Sequence, residues 1–261
     1  MSIKRLLLLI LLISVTALSA VQITITEFEH LIWRITNAER AKNNMAPLVY
    51  DDGLADLSRQ HSRNMLGFGF FDHKDQLGNY VNDRKRLHYP ELIVSSIGEN
   101  LARFYNTDGI YTPQEIVTGW MNSSEHRKNI LNEGYTHLGV GVVIHEGFLL
   151  ATQNFATPLV KLSTPIPKKI KRKKGLSLDF EYLSPISPDK LNISLSFPNP
   201  KLRYQVSKNS FTVGSMPVQI TWIDPAHFRL ELDFLAGKGL YELSFGFGGG
   251  FYKDGVKLKV K

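Results

Sequence analysis

Apolar residues recur along the first part of the chain at helical spacing. Phe28, Leu31, Ile32, Ile35 and Ala38 fall at i, i+3, i+4, i+7 and i+10, one stripe of an amphipathic helix. Thr26 stands where an N-cap belongs, and Glu27 and Glu29 lie in the first turn, where the helix dipole favours negative charge. A second helix is predicted from Asp51 or Asp52, with Leu54, Leu57, His61 and Met65 along one side. A third begins with Thr112 as cap and Pro113 at the first helical position, and turns Ile116 and Trp120 inward. The pattern from Thr26 to about Arg127 therefore reads as mostly helical. It then changes. Residues 137–144 (HLGVGVVI) and 148–155 (FLLATQNF) are β-rich runs joined by a turn at Glu146-Gly147. Their high apolar content predicts strands covered on both faces, as in a sheet between helices.

Beyond residue 175 the period becomes strictly two. Leu176, Leu178, Phe180 and Tyr182 alternate with polar residues, as do Leu191, Ile193, Leu195 and Phe197. So do Val218, Ile220 and Trp222, then Phe228, Leu230, Leu232 and Phe234, then Tyr241, Leu243, Phe245 and Phe247. Turn clusters such as Ser187-Pro188-Asp189 and Pro198-Asn199-Pro200 separate these runs. Seven or eight short antiparallel strands in this space predict an all-β, Ig-like sandwich over residues 176–261. No catalytic constellation is visible there; its one histidine, His227, lies beside Pro225 in a predicted turn.

Composition adds three constraints. Lys4 and Arg5 precede an apolar run from Leu6 to Leu18 and the small residues up to Ala20, the order of a secretory signal peptide over residues 1–20. The run is short of the ~20 residues a transmembrane helix needs. The 261-residue chain has no cysteine, so no disulfide and no cysteine nucleophile exist. Stability must come from core burial, and the reading is a bacterial exported protein, secreted or held in the cell envelope at the periplasm or surface. The net charge of +7 is matched by a single stretch, residues 161–174, which holds seven basic residues and no acid. A basic nucleic-acid-binding face is thereby excluded. Residues 159–175, with Pro165 and Pro167, read as an extended basic linker that does not pack.

Polar motifs cluster in the first region. Phe70-Phe71-Asp72-His73 follows His61 by about one helix; Gly98-Glu99-Asn100 comes next, and then Trp120 leads to Ser123-Ser124-Glu125-His126-Arg127. Gly139-Val140-Gly141-Val142 and Thr152-Gln153-Asn154-Phe155 close the series. In this order the motifs resemble the CAP superfamily, which groups cysteine-rich secretory proteins, insect antigen 5, plant pathogenesis-related proteins and bacterial SCP-like proteins. The resemblance covers about residues 26–158. It implies a three-layer α-β-α sandwich with a large cleft, and so an α+β protein with the all-β sandwich following. Many members carry two histidines and two glutamates in that cleft, sometimes with a divalent metal. By motif position the histidines are His73 and His126 and the first glutamate is Glu99. The second glutamate position is Ser123 here, a departure; Glu115, one turn before Trp120, is a candidate to fill the gap.

The candidate cleft is therefore His61, His73, Glu99, Ser123 and His126. His73, His126 and Glu99 meet the ligand count of an open zinc site, and zinc or another divalent ion is the cofactor this implies. Each residue also has a bland reading: His61 as a buried core histidine, His73 bridging backbone groups, His126 decorating a first turn, Glu99 fixing a loop. His30, His88, His137 and His145 carry no motif. The resemblance favours a binding module for a lipid, a peptide or an envelope component over an enzyme. A metal-dependent hydrolase using His73, His126 and Glu99 is the second reading, and an adhesive envelope protein acting through the β-sandwich is the third. Lys168, Lys169, Lys171, Arg172, Lys173 and Lys174 would meet an anionic surface.

Overall fold

The computed structural model describes residues 23–261. The signal peptide read at residues 1–20 lies outside the described residues. The helices of the first half are α1 (Ile25–Lys42), α2 (Asp52–Phe68), α3 (Val81–His88), α4 (Pro113–Asn122) and α5 (Ser124–Ile130). Its strands are β1 (Val49–Tyr50), β2 (Leu92–Tyr105), β3 (His137–His145) and β4 (Phe148–Leu162). Among the described residues no helix is long and apolar enough to cross a membrane.

The caps follow the sequence closely for α2 and α4. The Asp51 carboxylate accepts the Leu54 N–H at 2.7 Å, and Thr112 and Glu115 form a reciprocal capping box ahead of Pro113. On α1 the cap lies two residues earlier than predicted. Thr24 and Glu27 make a capping box, which frees Thr26 for the first turn. The buried row of α1 is Phe28, Ile32, Thr36 and Arg40, with Glu29 beside it, whereas Ala38 is exposed. Glu29 is not first-turn decoration. It pairs with Arg59 of α2 at 2.7 Å and accepts the Val142 N–H of β3 at 2.9 Å, a buried tie between both helical layers and the sheet.

The hairpin β3–β4 forms across the predicted turn at Glu146-Gly147, with His145 opposite Phe148, and its faces alternate. Leu138, Val140 and Val142 join Phe28, Ile32, Ile116, Val117 and Trp120 in one core. The opposite face lies against α2, and there glycines set the spacing. A Cβ at Gly139 would fall 2.1 Å from the Ala55 nitrogen, and one at Gly141 would fall 2.0 Å from the Arg59 nitrogen. No side chain fits between those backbones. Residues 92–105, expected within a mostly helical region, form the long strand β2 instead, antiparallel to β4 from Tyr105↔Phe148 to Leu92↔Lys161. Pairing with β4 along almost its whole length decides this conformation, which local periodicity does not announce. The result is a three-layer α-β-α sandwich.

Strand β4 continues past its hairpin partner into the second half. After residue 175 come β5 (Leu176–Tyr182), β6 (Leu191–Ser196), β7 (Arg203–Ser207), β8 (Ser210–Val213), β9 (Ser215–Pro217), β10 (Thr221–Asp224), β11 (His227–Leu232), β12 (Gly239–Phe247) and β13 (Gly250–Val260). One sheet runs β1-β3-β4-β5-β11-β10, with β2 on the other side of β4; a second runs β13-β12-β6-β9, and β7-β8 is a separate ribbon. The two sheets enclose Leu178, Phe180, Ile193, Leu195, Phe228, Leu230, Leu243 and Phe245, the alternating positions of the sequence. Phe180 stacks on Phe228 at 5.2 Å and meets Phe245 at 5.4 Å. Ile93 of β2 and Leu159 and Val160 of β4 belong to this same core.

The basic stretch is not a free tether. Its first residues complete β4, Ile170 is buried and bridges to Val260, and residues 172–174 form a 3₁₀ turn. The apolar side chain at its centre anchors the backbone, while Lys168, Lys169 and the four cations after Ile170 stay exposed.

Candidate cleft of paired histidines

The candidate site draws on α2, the loop after it, α3, β2 and α5. The first-turn cap and the glycine-spaced contact fix α2 against the sheet. Ser58 donates to the Gly139 carbonyl at 3.1 Å and Ser62 to the Gly141 carbonyl at 2.9 Å. This presses His61 into the interior. Its Nε2 lies 3.0 Å from the Asp72 carbonyl oxygen, which can only accept, so Nε2 carries the proton and Nδ1 is the bare nitrogen. Burial pushes the His61 imidazole below its ordinary pKa. His61 therefore lies behind the cleft and holds the backbone next to His73.

His73 follows on that loop, and its side chain is about half exposed (50%). Its Nδ1 lies 2.9 Å from Glu99 Oε1. Glu99 projects from β2 and is buried. A carboxylate beside a half-buried imidazole fixes the Nδ1–H tautomer and leaves Nε2 free at the surface. The hydrogen bond to Glu99, reinforced by its charge, raises the His73 pKa above its ordinary value against the opposing effect of burial. His126, half-buried on α5, moves the other way. Burial lowers its pKa first, and the positive charge of His73 lowers it further.

The second oxygen of Glu99 is bound to Arg84 of α3. The Arg84 guanidinium is buried, and its other arm donates to the carbonyls of His73 at 2.7 Å and Asn79 at 3.0 Å. The Asp75 carboxylate turns this loop by accepting the N–H groups of Leu77 and Asn79 at 2.9 and 2.8 Å. One arginine thus clamps both the acid and the backbone of its histidine partner. From the far side, Asn129 donates to the Glu99 carbonyl at 3.2 Å and to Asn100 Oδ1 at 2.9 Å. Asn100 in turn donates to the His126 carbonyl at 3.1 Å and to Gln153 at 3.2 Å. Gln153 reaches Thr36 of α1 at 2.8 Å. The Gly98-Glu99-Asn100 and Thr152-Gln153-Asn154 motifs are therefore one polar seam through the sheet, with the cleft at its end.

Of the five predicted cleft residues, the structure joins His73 to Glu99 directly, and ties the backbone carbonyl of His126 to Asn100, the residue after Glu99. Ser123 occupies the α4–α5 junction, where its hydroxyl makes no capping hydrogen bond. Glu115 is committed to the cap of α4 and does not replace a cleft carboxylate. Arg84 was not singled out by the sequence. It sits in Asn82-Asp83-Arg84-Lys85-Arg86, a charged run that looks like a solvated helix face, and nothing in the pattern marks it as buried.

A three-ligand metal site made of His73, His126 and Glu99 does not fit this geometry. Both Glu99 oxygens are already engaged, one by a guanidinium and one by an imidazole N–H. Glu99 here orients a histidine. Among the described residues no three His, Asp or Glu side chains converge as a metal-holding group.

The model of the cysteine-rich secretory protein (CAP) family matches residues 33–155. An uncharacterized protein of Bacillus subtilis (strain 168), YkwD, is 37% identical over 132 residues, covering 51% of this chain and 48% of its own. An uncharacterized membrane protein of the same organism, YlbC, is 38% identical over 117 residues, covering 45% of this chain and 32% of its own. The chain therefore spans about half or less of the length of these curated relatives. The crystal structure of an extracellular protein containing an SCP domain from Bacillus anthracis (str. Ames) aligns at 31% identity and a TM-score of 0.43, over 50% of this chain and 40% of that one. The matched residues, 33–155, lie within the three-layer sandwich and include His73, Glu99 and His126; over this part the chain carries a domain that matches the CAP family.

Proposed function

We propose that the protein is an exported binding module that takes a lipid or peptide ligand of the cell envelope into the cleft between His73 and His126. The observation that carries this reading is the full engagement of Glu99 by Arg84 and His73. That arrangement spends the Glu99 carboxylate on holding an imidazole in place. What remains at the surface is a pair of half-buried ring edges, His73 through Nε2 and His126, suited to hydrogen-bond a polar ligand group. Next to them Phe71 is partly exposed, with Arg103 stacked over its ring at 5.0 Å, giving an apolar shelf with a cation on it. A cleft that combines apolar wall with a few fixed polar groups is the usual form of a ligand site. Export rests on the leader pattern of residues 4–20. The exposed cations of residues 168–174 supply a second, weaker contact to anionic envelope polymers or headgroups.

The test is a titration of the full-length mature protein with envelope lipid extract and with envelope peptides, read by native mass spectrometry and tryptophan fluorescence. Saturable, stoichiometric binding that weakens about tenfold in His73→Ala and His126→Ala, a loss of about 1.4 kcal/mol, is the expected result. Absence of saturable binding, or hydrolysis of the ligand that disappears in Glu99→Gln, would overturn it.

A further inference from the structure

Two neighbouring residues of α3 reach in different directions. Arg84 binds Glu99 and the His73 backbone in the cleft. Lys85, the next residue, is equally buried, and its ammonium is paired with Asp254 of β13, in the C-terminal sandwich. Asp254 is buried too, and the same carboxylate oxygen accepts the Val94 N–H of β2 at 3.0 Å. Its other oxygen lies 3.5 Å from Arg86 Nε. One acid from the second half of the chain therefore ties α3 to β2, five residues before Glu99 on that strand. The bonds close a ring: Asp254 to Lys85, α3 to Arg84, Arg84 to Glu99, β2 back to Val94, and Val94 to Asp254.

The ring matters because α3 has little else to hold it. At eight residues it is shorter than a helix stable on its own, and five of its residues are charged or histidine. Arg84 and Lys85 are its buried residues. Burying an ammonium is costly unless a carboxylate accompanies it, and Lys85 and Asp254 meet that condition only when both halves of the chain are in place.

We propose that Asp254 is a positioning residue for the cleft: through Lys85 and Val94 the C-terminal sandwich sets the distance between α3 and β2, and so fixes the Arg84–Glu99–His73 geometry. The sandwich is then part of the site and not a spacer behind it. The significance of the inference rests on the cleft being the functional site, whatever ligand it takes.

The experiment reads the His73 ring directly. In the full-length mature protein, ring ¹⁵N shifts at a pH where His73 is neutral separate the Nδ1–H form from the Nε2–H form. The native protein is expected to show the Nδ1–H form dictated by Glu99. In Asp254→Asn, which keeps an acceptor for Val94 but removes the charge, His73 is expected to lose that single form and exchange between both. The double variant Lys85→Met with Asp254→Leu leaves no unpaired buried charge and should fold while giving the same loss. A folded variant of either kind whose His73 stays wholly in the Nδ1–H form would overturn the proposal. Ligand titration of the same samples separates the two readings. A tautomer change without ligand binding in any form of the protein supports the coupling and counts against the binding module. Binding with an unmoved tautomer does the reverse.

Discussion

At the scale of single residues, the chemistry of this protein is set by which partner each histidine finds. His73 gains a carboxylate, while His61 and His126 lose water without gaining one. Proton-detected titration of the imidazole resonances should therefore place His73 above the ordinary value near 6.5 and His61 and His126 below it. Glu99→Gln should bring His73 down, since the hydrogen bond to Glu99 is the largest cause of its shift. The stability consequences have opposite signs. The contribution of His73 is fully present below about pH 6.5 and is lost as pH rises through its raised value; it is small because half of the ring is in water. His61 is fully buried with a lowered value, so the unfolded chain binds its proton first. Stability should then fall as pH drops from about 6.5 through that lowered value. Thermal melts at pH 7 and pH 5 test this, and a His61→Gln protein, which retains a donor for the Asp72 carbonyl, should lose that part of the acid sensitivity.

At the scale of elements, the contact of α2 with β3 is the junction that presents the loop of His73. Gly139 and Gly141 permit it, because α2 backbone atoms occupy the place of their absent side chains. Gly139→Ala or Gly141→Ala must push the helix off the sheet, breaking the Ser58 and Ser62 hydrogen bonds as well. Each should cost on the order of 3 kcal/mol or more, measured by chemical denaturation. Gly67 is the control. It is exposed near the end of α2, and a methyl group added there would meet nothing within 4 Å, so Gly67→Ala should leave stability unchanged or raise it by up to about 1 kcal/mol. Much of this scale was legible beforehand. Asp51 and the Thr112–Pro113 start gave correct helix beginnings because capping is a local interaction between near neighbours. Strand β2 was not legible, because its conformation comes from pairing with β4, about fifty residues away. Thr24 and Thr26 each have a glutamate three residues on; the box forms at Thr24 with Glu27, while Glu29 is drawn inward to Arg59 and the Val142 N–H and is not available to cap Thr26.

At the scale of the whole molecule, β4 belongs to both halves. It pairs with β2 and β3 in the CAP domain and then with β5, and its residues Leu159 and Val160 sit in the core of the C-terminal sandwich. The two halves should unfold together, in a single calorimetric transition whose van't Hoff and calorimetric enthalpies agree. Two separated transitions would show that the shared strand does not couple them. The exposed cations on the anchored turn at residues 168–174 make a different prediction. Association with anionic vesicles should fall steeply between low and physiological salt, whereas occupation of the cleft should not. The sequence by itself determined the periodic parts of this protein: the α2 and α4 starts, the hairpin, the alternating strands and the ordered motifs that carry the family resemblance. These depend on spacing within a helix turn, a strand or a short motif, which the chain states directly. Tertiary structure alone decided which charged side chains are buried. Arg84, Lys85 and Asp254 read as solvated charges in the sequence, and only the docking of α3 between β2 and β13 removes them from water and aims one of them at Glu99. A buried ion pair is a property of two surfaces brought together, so the histidine cleft could be located from its motifs while the clamp that holds it could not.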